Sequence, residues 1–142
     1  MTVQALPFNK AVVDTNIIIY TLKGSETVVT AMEQFEGEAI EILYSTIVEA
    51  ELFSFHELTP EQAIKIRGLL DLGEIIDVTS NIALKAAELR SISRKDYRRK
   101  LKLPDAIVAA TAFIYSATLV TRNVEDFAHL LKYGLKIWNP LE

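Results

Sequence analysis

Short β-branched or aliphatic runs, each breaking into a polar junction and then into helical periodicity, set the strongest limit on what this chain can become. Residues 11–13 lead into Asp14-Thr15-Asn16, which has helix-capping chemistry, and then into Ile17, Ile18, Ile19 and Tyr20. Residues 40–44 lead into Ser45 and Thr46, which cap a helix carrying Glu51, Leu52 and Phe55. Residues 75–78 precede a long helix from about Asn81, and residues 117–121 precede a short helix over 124–131. A last strand follows at 135–138, after a break at Gly134. Strands alternating with helices imply a mainly parallel central sheet with helices on both faces, a three-layer α/β fold.

The remaining elements fit that frame. Val28, Val29, Met32 and Phe35 recur at helical spacing over 26–36, and Gly37 stops the run. Thr59-Pro60-Glu61-Gln62 starts another helix with proline at its first position, and Gly73 marks its stop. The helix from Asn81 carries Leu84, Ala87, Leu89 and Ile92 as its apolar residues. Pro104 opens a helix over 105–115 that is almost wholly apolar, as a helix covered on several sides should be. At 142 residues, with no internal repeat or linker, the chain reads as a single domain over 1–142.

The absence of cysteine excludes disulfides, thiolate ligands and cysteine nucleophiles, and fits a reducing, cytoplasmic home. The first ten residues lack the basic start and apolar run of a secretory signal. The weakly polar stretch 107–120 is broken by Thr111, Ser116 and Thr118, which argues against a membrane span. Net charge is −4, yet Arg94, Lys95, Arg98, Arg99, Lys100 and Lys102 gather beside a single acid, Asp96. That basic stretch runs directly into the helix of Asp105, where it either meets phosphates or complements a helix end.

Asp14, Glu51, Asp105 and Asp126 each sit where an apolar run gives way to a helix, or just inside one. Open parallel sheets collect functional groups at the carboxyl ends of their strands, so these acids are candidates for one crevice. At about 5 Å and an effective dielectric near 20, each ionised pair would cost roughly 3 kcal/mol, so the cluster calls for bound cations or raised pKa values. Oxygen-only ligands suit Mg²⁺, or Mn²⁺, and phosphodiester hydrolysis is the chemistry they serve. Taken one at a time, Asp14 and Asp105 read equally as helix-terminal acids, and Glu51 and Asp126 as solvated side chains. Glu49 and Glu51, two apart on a helix, cannot share a face, so only one of them enters a crevice.

At these residues the chain resembles the PIN-domain ribonucleases, in particular the VapC-type toxins of toxin-antitoxin modules. Val12-Val13-Asp14-Thr15-Asn16 is similar to the family's first motif, and the segment from Ser45 to Leu52 to its second, with Glu51 in the ligand register. Leu103-Pro104-Asp105-Ala106 is similar to the third, and Thr121-Arg122-Asn123-Val124-Glu125-Asp126-Phe127 to the fourth. Asn123 stands where members commonly carry an acid, which leaves Asp126 as the acid of that motif.

The resemblance implies a PIN-like three-layer fold and a Mg²⁺-dependent endoribonuclease, with Asp14, Glu51, Asp105 and Asp126 as catalytic metal ligands. On the substrate side stand Asn16 and Asn123 of these motifs, Asn16 helping to hold the site; by their own chemistry the Thr121 hydroxyl either orients a ligand or a phosphate or caps a helix, and Arg122 is a candidate to meet a phosphate. The resemblance also implies an RNA substrate, a cognate antitoxin, a homodimer and no membrane. His56 and His129 fall outside every motif and read as structural.

Two other readings compete. An aspartate-based phosphatase or phosphotransfer domain would use Asp14 as nucleophile, but the position two residues on is Asn16, and no phosphoacceptor aspartate follows residues 75–78. An RNA-binding or interaction module with a degenerate metal site would differ by taking no divalent ion. Relief of repulsion predicts that Asp14→Asn or Asp105→Asn removes activity and leaves the fold intact or slightly steadier.

Overall fold

The structure, a computed structural model, describes residues 4–142, so Met1, Thr2 and Val3 of the amino-terminal segment lie outside the described residues. Among the described residues the strands are β1 (Lys10–Val13), β2 (Glu41–Ser45), β3 (Glu74–Ile76), β4 (Thr118–Val120) and β5 (Lys136–Trp138). They form one sheet in the order β3-β2-β1-β4-β5, and every neighbouring pair is parallel. The helices are α1 (Thr15–Leu22), α2 (Glu26–Gly37), α3 (Thr46–Leu52), α4 (Pro60–Leu70), α5 (Ser80–Tyr97), α6 (Leu103–Ile114) and α7 (Val124–Phe127). A 3₁₀ segment, Ala128–Tyr133, continues from α7.

The chain winds outward from β1 to β3, crosses back through α5 and α6, and then winds the other way from β4 to β5. The strand order therefore reverses between β1 and β4, and the crevice beyond their carboxyl ends is where such a sheet holds its functional groups. Ala11, Val12 and Val13 are fully buried, as strands covered on both faces must be. Each of the two buried valines contributes about 1.5–3 kcal/mol. Residues 106–112 of α6 are all buried, and the one hydroxyl among them, Thr111 Oγ1, donates to the Ile107 carbonyl at 2.8 Å. No helix among the described residues is long and apolar enough to cross a membrane.

Local chemistry accounts for most boundaries. Asp14 and Ser45 cap α1 and α3 through their side chains. Thr59 and Gln62 form a reciprocal capping box at the start of α4, which runs only to Leu70. Gly134 stops the 3₁₀ segment at φ 104°, a left-handed conformation that glycine adopts without a Cβ clash.

Four expectations change. The buried stripe of α5 is Ile82, Ala86, Leu89 and Ser93, whereas Leu84 is 67% exposed and Ala87 is also exposed. Those four residues follow the i, i+4, i+7, i+11 spacing of one face, and α5 lays that face along α6. Phe55 lies beyond the end of α3 and is exposed. The third strand ends at Ile76, and the helix expected over 124–131 divides into α7 and the 3₁₀ segment.

Gly73 has a packing role beyond ending a helix. A Cβ placed there would stand 2.5 Å from the Ile42 carbonyl oxygen and 2.8 Å from Tyr44 Cε2. Gly73→Ala should therefore destabilise the chain by about 1–3 kcal/mol through overpacking, read as a lower urea midpoint with an unchanged slope.

Candidate active site

Asp14 leaves β1 at the point of strand-order reversal, and its backbone N–H donates to the Val120 carbonyl of β4 at 3.0 Å. Its side chain is 5% exposed. Oδ1 accepts from the Thr15 N–H at 2.8 Å and caps α1. Oδ2 accepts from Thr121 Oγ1 at 2.9 Å and from Asn16 Nδ2 at 3.1 Å. The capping role and the crevice position thus fall on the same carboxylate.

Thr121 is fully buried, and its hydroxyl also accepts from Asn16 Nδ2 at 3.2 Å and from the Asn123 N–H at 3.0 Å. One donor and two lone pairs are then all in use. Asn16 spends both Nδ2 hydrogens on Asp14 and Thr121, and its Oδ1 accepts from the Arg122 N–H at 3.0 Å. In this structure both side chains hold Asp14 and the 121–123 segment, and the N–H and O–H donors of both are engaged there. Arg122 and Asn123 are exposed at the rim, the Arg122 guanidinium lying 5.4 Å from the centre of the Tyr20 ring.

Glu51 reaches the crevice from α3, where its Oε1 accepts from Thr15 Oγ1 at 2.7 Å. Glu49 turns away and pairs with Arg67 of α4 at 2.7 Å, so the two glutamates divide as their helical spacing requires. Asp105 stands in the first turn of α6, with Pro104 at the start of that helix. Asp126, exposed on α7, lines a cavity of about 100 Å³ together with Asp105.

Electrostatics join what the sequence separates. Burial pushes the Asp105 carboxyl up to about 6, reinforced by repulsion from Asp14, Asp126 and Glu51 and opposed by Lys102. Burial also raises Asp14, against the lowering effect of its bonds from Thr121 and Thr15. Among the described residues, no three acidic or histidine side chains stand close enough to clasp one ion. Coulombic coupling reaches farther than coordination, so the acids share a field without touching a common point. The donor set fits a hard divalent cation: all carboxylate oxygen, with two members under a load that positive charge would relieve.

His129 lines the same cavity as Asp105 and Asp126, and its Nε2 lies 2.7 Å from Ser93 Oγ. Its spacing three residues after Asp126 on a helical segment was the signal that could have placed it there. His56 is exposed and sits beside Glu57 at 3.5 Å, away from the crevice.

Comparison with known proteins follows the same residues. The PIN domain family profile matches residues 11–131. Ribonuclease VapC1 of Methanocaldococcus jannaschii is 31% identical over 133 residues, spanning 92% of this chain and 88% of that protein. A toxin-antitoxin complex from Klebsiella pneumoniae contains a chain 31% identical to this one, with a TM-score of 0.70 over 92% of this chain and 97% of that one. VapBC2 from Rickettsia felis, bound to a DNA fragment from their promoter, shares the fold with a TM-score of 0.77 at 24% identity, over 92% and 98% of the two chains.

The two central aspartates should respond oppositely to amide substitution, which revises the shared expectation for them. Asp14→Asn replaces acceptor oxygen with a donor where only donors approach, and should cost about 1–3 kcal/mol. Asp105→Asn should stabilise the metal-free chain at pH 7. Between the unfolded carboxyl pKa of about 3.9 and the folded value of about 6, the folded chain holds a proton that the unfolded chain releases. Asp105 therefore lowers stability progressively as pH rises through that window, and the advantage of Asp105→Asn should vanish below about pH 4. Thermal melts in chelator across this range check both signs.

Proposed function

The chain belongs to the PIN-domain family, and on that premise we propose that it is a divalent-metal-dependent endoribonuclease acting as the toxin of a type II toxin-antitoxin pair. The observation that carries the reading is the meeting of four carboxylates from distant segments in one field at the point of strand-order reversal, felt at Asp105. The relatives support it, one being a ribonuclease and another a member of a toxin-antitoxin complex.

In this reading Asp14, Glu51 and Asp105 hold Mg²⁺, or Mn²⁺ in its place, and Asp126 completes the set. When bound, a divalent ion held by these carboxylates would supply a lowered water pKa and positive charge for the phosphodiester. The protein's own work is positioning. Asn16 and Thr121 fix the Asp14 carboxylate, and Thr15 ties Glu51 to the same helix start. Glu51 and Asp126 are exposed, and to close on one ion Asp126 would turn inward and Glu51 would give up or share its bond from Thr15. Asn123 offers an uncharged amide to ribose or base, and Arg122 offers a cation to a phosphate at the rim. An antitoxin would silence the site by presenting a basic side chain to these acids, and the working form is a cytoplasmic homodimer.

The purified chain should cleave a mixed pool of structured RNA with Mg²⁺ and lose that activity with chelator. Asp105→Asn should cost more than about 100-fold, beyond the ~10–100-fold typical of partners that only orient ligands. Thr15→Val, which releases Glu51, should fall inside that lower range. Cleavage that persists in chelator, or in Asp105→Asn at the wild-type rate, would remove the metal-site reading. A chain that takes no divalent ion would favour the interaction module instead.

A further inference from the structure

The basic stretch after α5 is folded back on itself. Arg98 ends the helix in the left-handed region, at φ 52° and ψ 32°, and the Arg99 N–H donates to the Ser93 carbonyl at 2.9 Å. The chain reverses there, and Arg90 Nε donates to the Leu101 carbonyl at 3.0 Å, tying the returning segment to the helix. The result is a cavity of about 180 Å³ walled by Arg90, Arg94, Arg99 and Lys100. Among the described residues, none of these four side chains forms an ion pair, and neither does Lys102.

Complementing the helix dipole accounts for Arg94 and Lys95, which lie in the last turn of α5. It does not account for Arg99 and Lys100, which lie past the helix end yet wall the same cavity. Four unpaired cations around one concavity repel one another, and a guanidinium fork matches phosphate oxygens. Arg99, Lys100 and Leu101 also wall the smaller cavity that holds Asp105 and Asp126. The cationic cleft and the acidic crevice are therefore neighbours across one short segment.

We propose that this cleft is a phosphate-binding subsite for the RNA backbone, gripping the strand beside the position of cleavage and leading it to the acids. The proposal rests on the ribonuclease reading and adds a place and a set of side chains for the substrate. It also explains how a chain of net charge −4 engages a polyanion, since contact is confined to one face.

The test is binding of an unstructured, fluorescein-labelled RNA oligonucleotide in chelator across a salt series. It compares wild type, Arg94→Ala/Arg99→Ala and a charge-matched control, Lys65→Ala/Lys136→Ala. Arg94 and Arg99 are exposed, so the fold should hold, and circular dichroism checks it; Arg90 is left in place because it anchors Leu101. Two lost phosphate contacts should make the slope of log K against log salt shallower by about 1.4 and weaken binding about 25-fold at 0.1 M salt. The control should match wild type.

Unchanged affinity and slope in Arg94→Ala/Arg99→Ala would overturn the subsite, as would a wild type that binds no RNA. If wild type cleaves and Asp105→Asn does not, while the arginine variant binds normally, the subsite falls and the nuclease stands. If the arginine variant loses binding but no metal-dependent cleavage appears, the cleft stands on an RNA-binding module and the nuclease reading falls.

Discussion

A carboxylate buried between the ends of two central strands must be accounted for before anything else in this molecule. Asp14 is desolvated in a way that disfavours its charge, and it is retained because three donors converge on it. Those donors come from α1 and from the segment after β4, so the bonds that stabilise the charge also lock the two halves of the sheet together. The engagement of the Thr121 and Asn16 donors follows from the same demand. A polar network at this depth is stable only when each member is satisfied.

From that fixed point the other acids grade outward in exposure. Asp105 is half-buried and carries the strongest repulsion, Glu51 is exposed but tethered by Thr15, and Asp126 is exposed on a single-turn helix. A rigid carboxylate at the centre with softer ones around it suits an ion that must exchange water and substrate. Beyond Asp126 the sign of the surface changes within a few residues to that of Lys102, Lys100 and Arg99. Opposite charges are thus sorted in space, acids on one side of the cavity and bases on the other.

Much of this was legible in the sequence where local chemistry decides. The strand-to-helix junctions, the caps at Asp14, Ser45 and Thr59, and the covered helix α6 all follow from nearest neighbours and periodicity. The face of α5 was not legible, because apolar residues lie all around that helix. Its true stripe includes Ser93, whose hydroxyl is satisfied within the helix by the Leu89 carbonyl. The roles of Thr15 and Thr121 were hidden for a different reason. Their partners lie 36 and 107 residues away, and a hydroxyl in a motif does not reveal whether it faces a substrate or a neighbouring acid. His129 reads as structural because it falls outside every motif, and the turn it occupies borders the crevice.

The double duty of Asp14 makes the acids unequal under selection. A lineage that gains by silencing such an enzyme has two kinds of route. Changes at Asp14 or Thr121 weaken the junction of β1, β4 and α1, so on the proposed reading they would cost chemistry and fold stability together. Glu51 and Asp126 are exposed and lie on no strand, so on the same reading changes there would leave an inert body of normal shape. Such a body would still present the same surface to any partner, and the silenced lineage would keep a decoy.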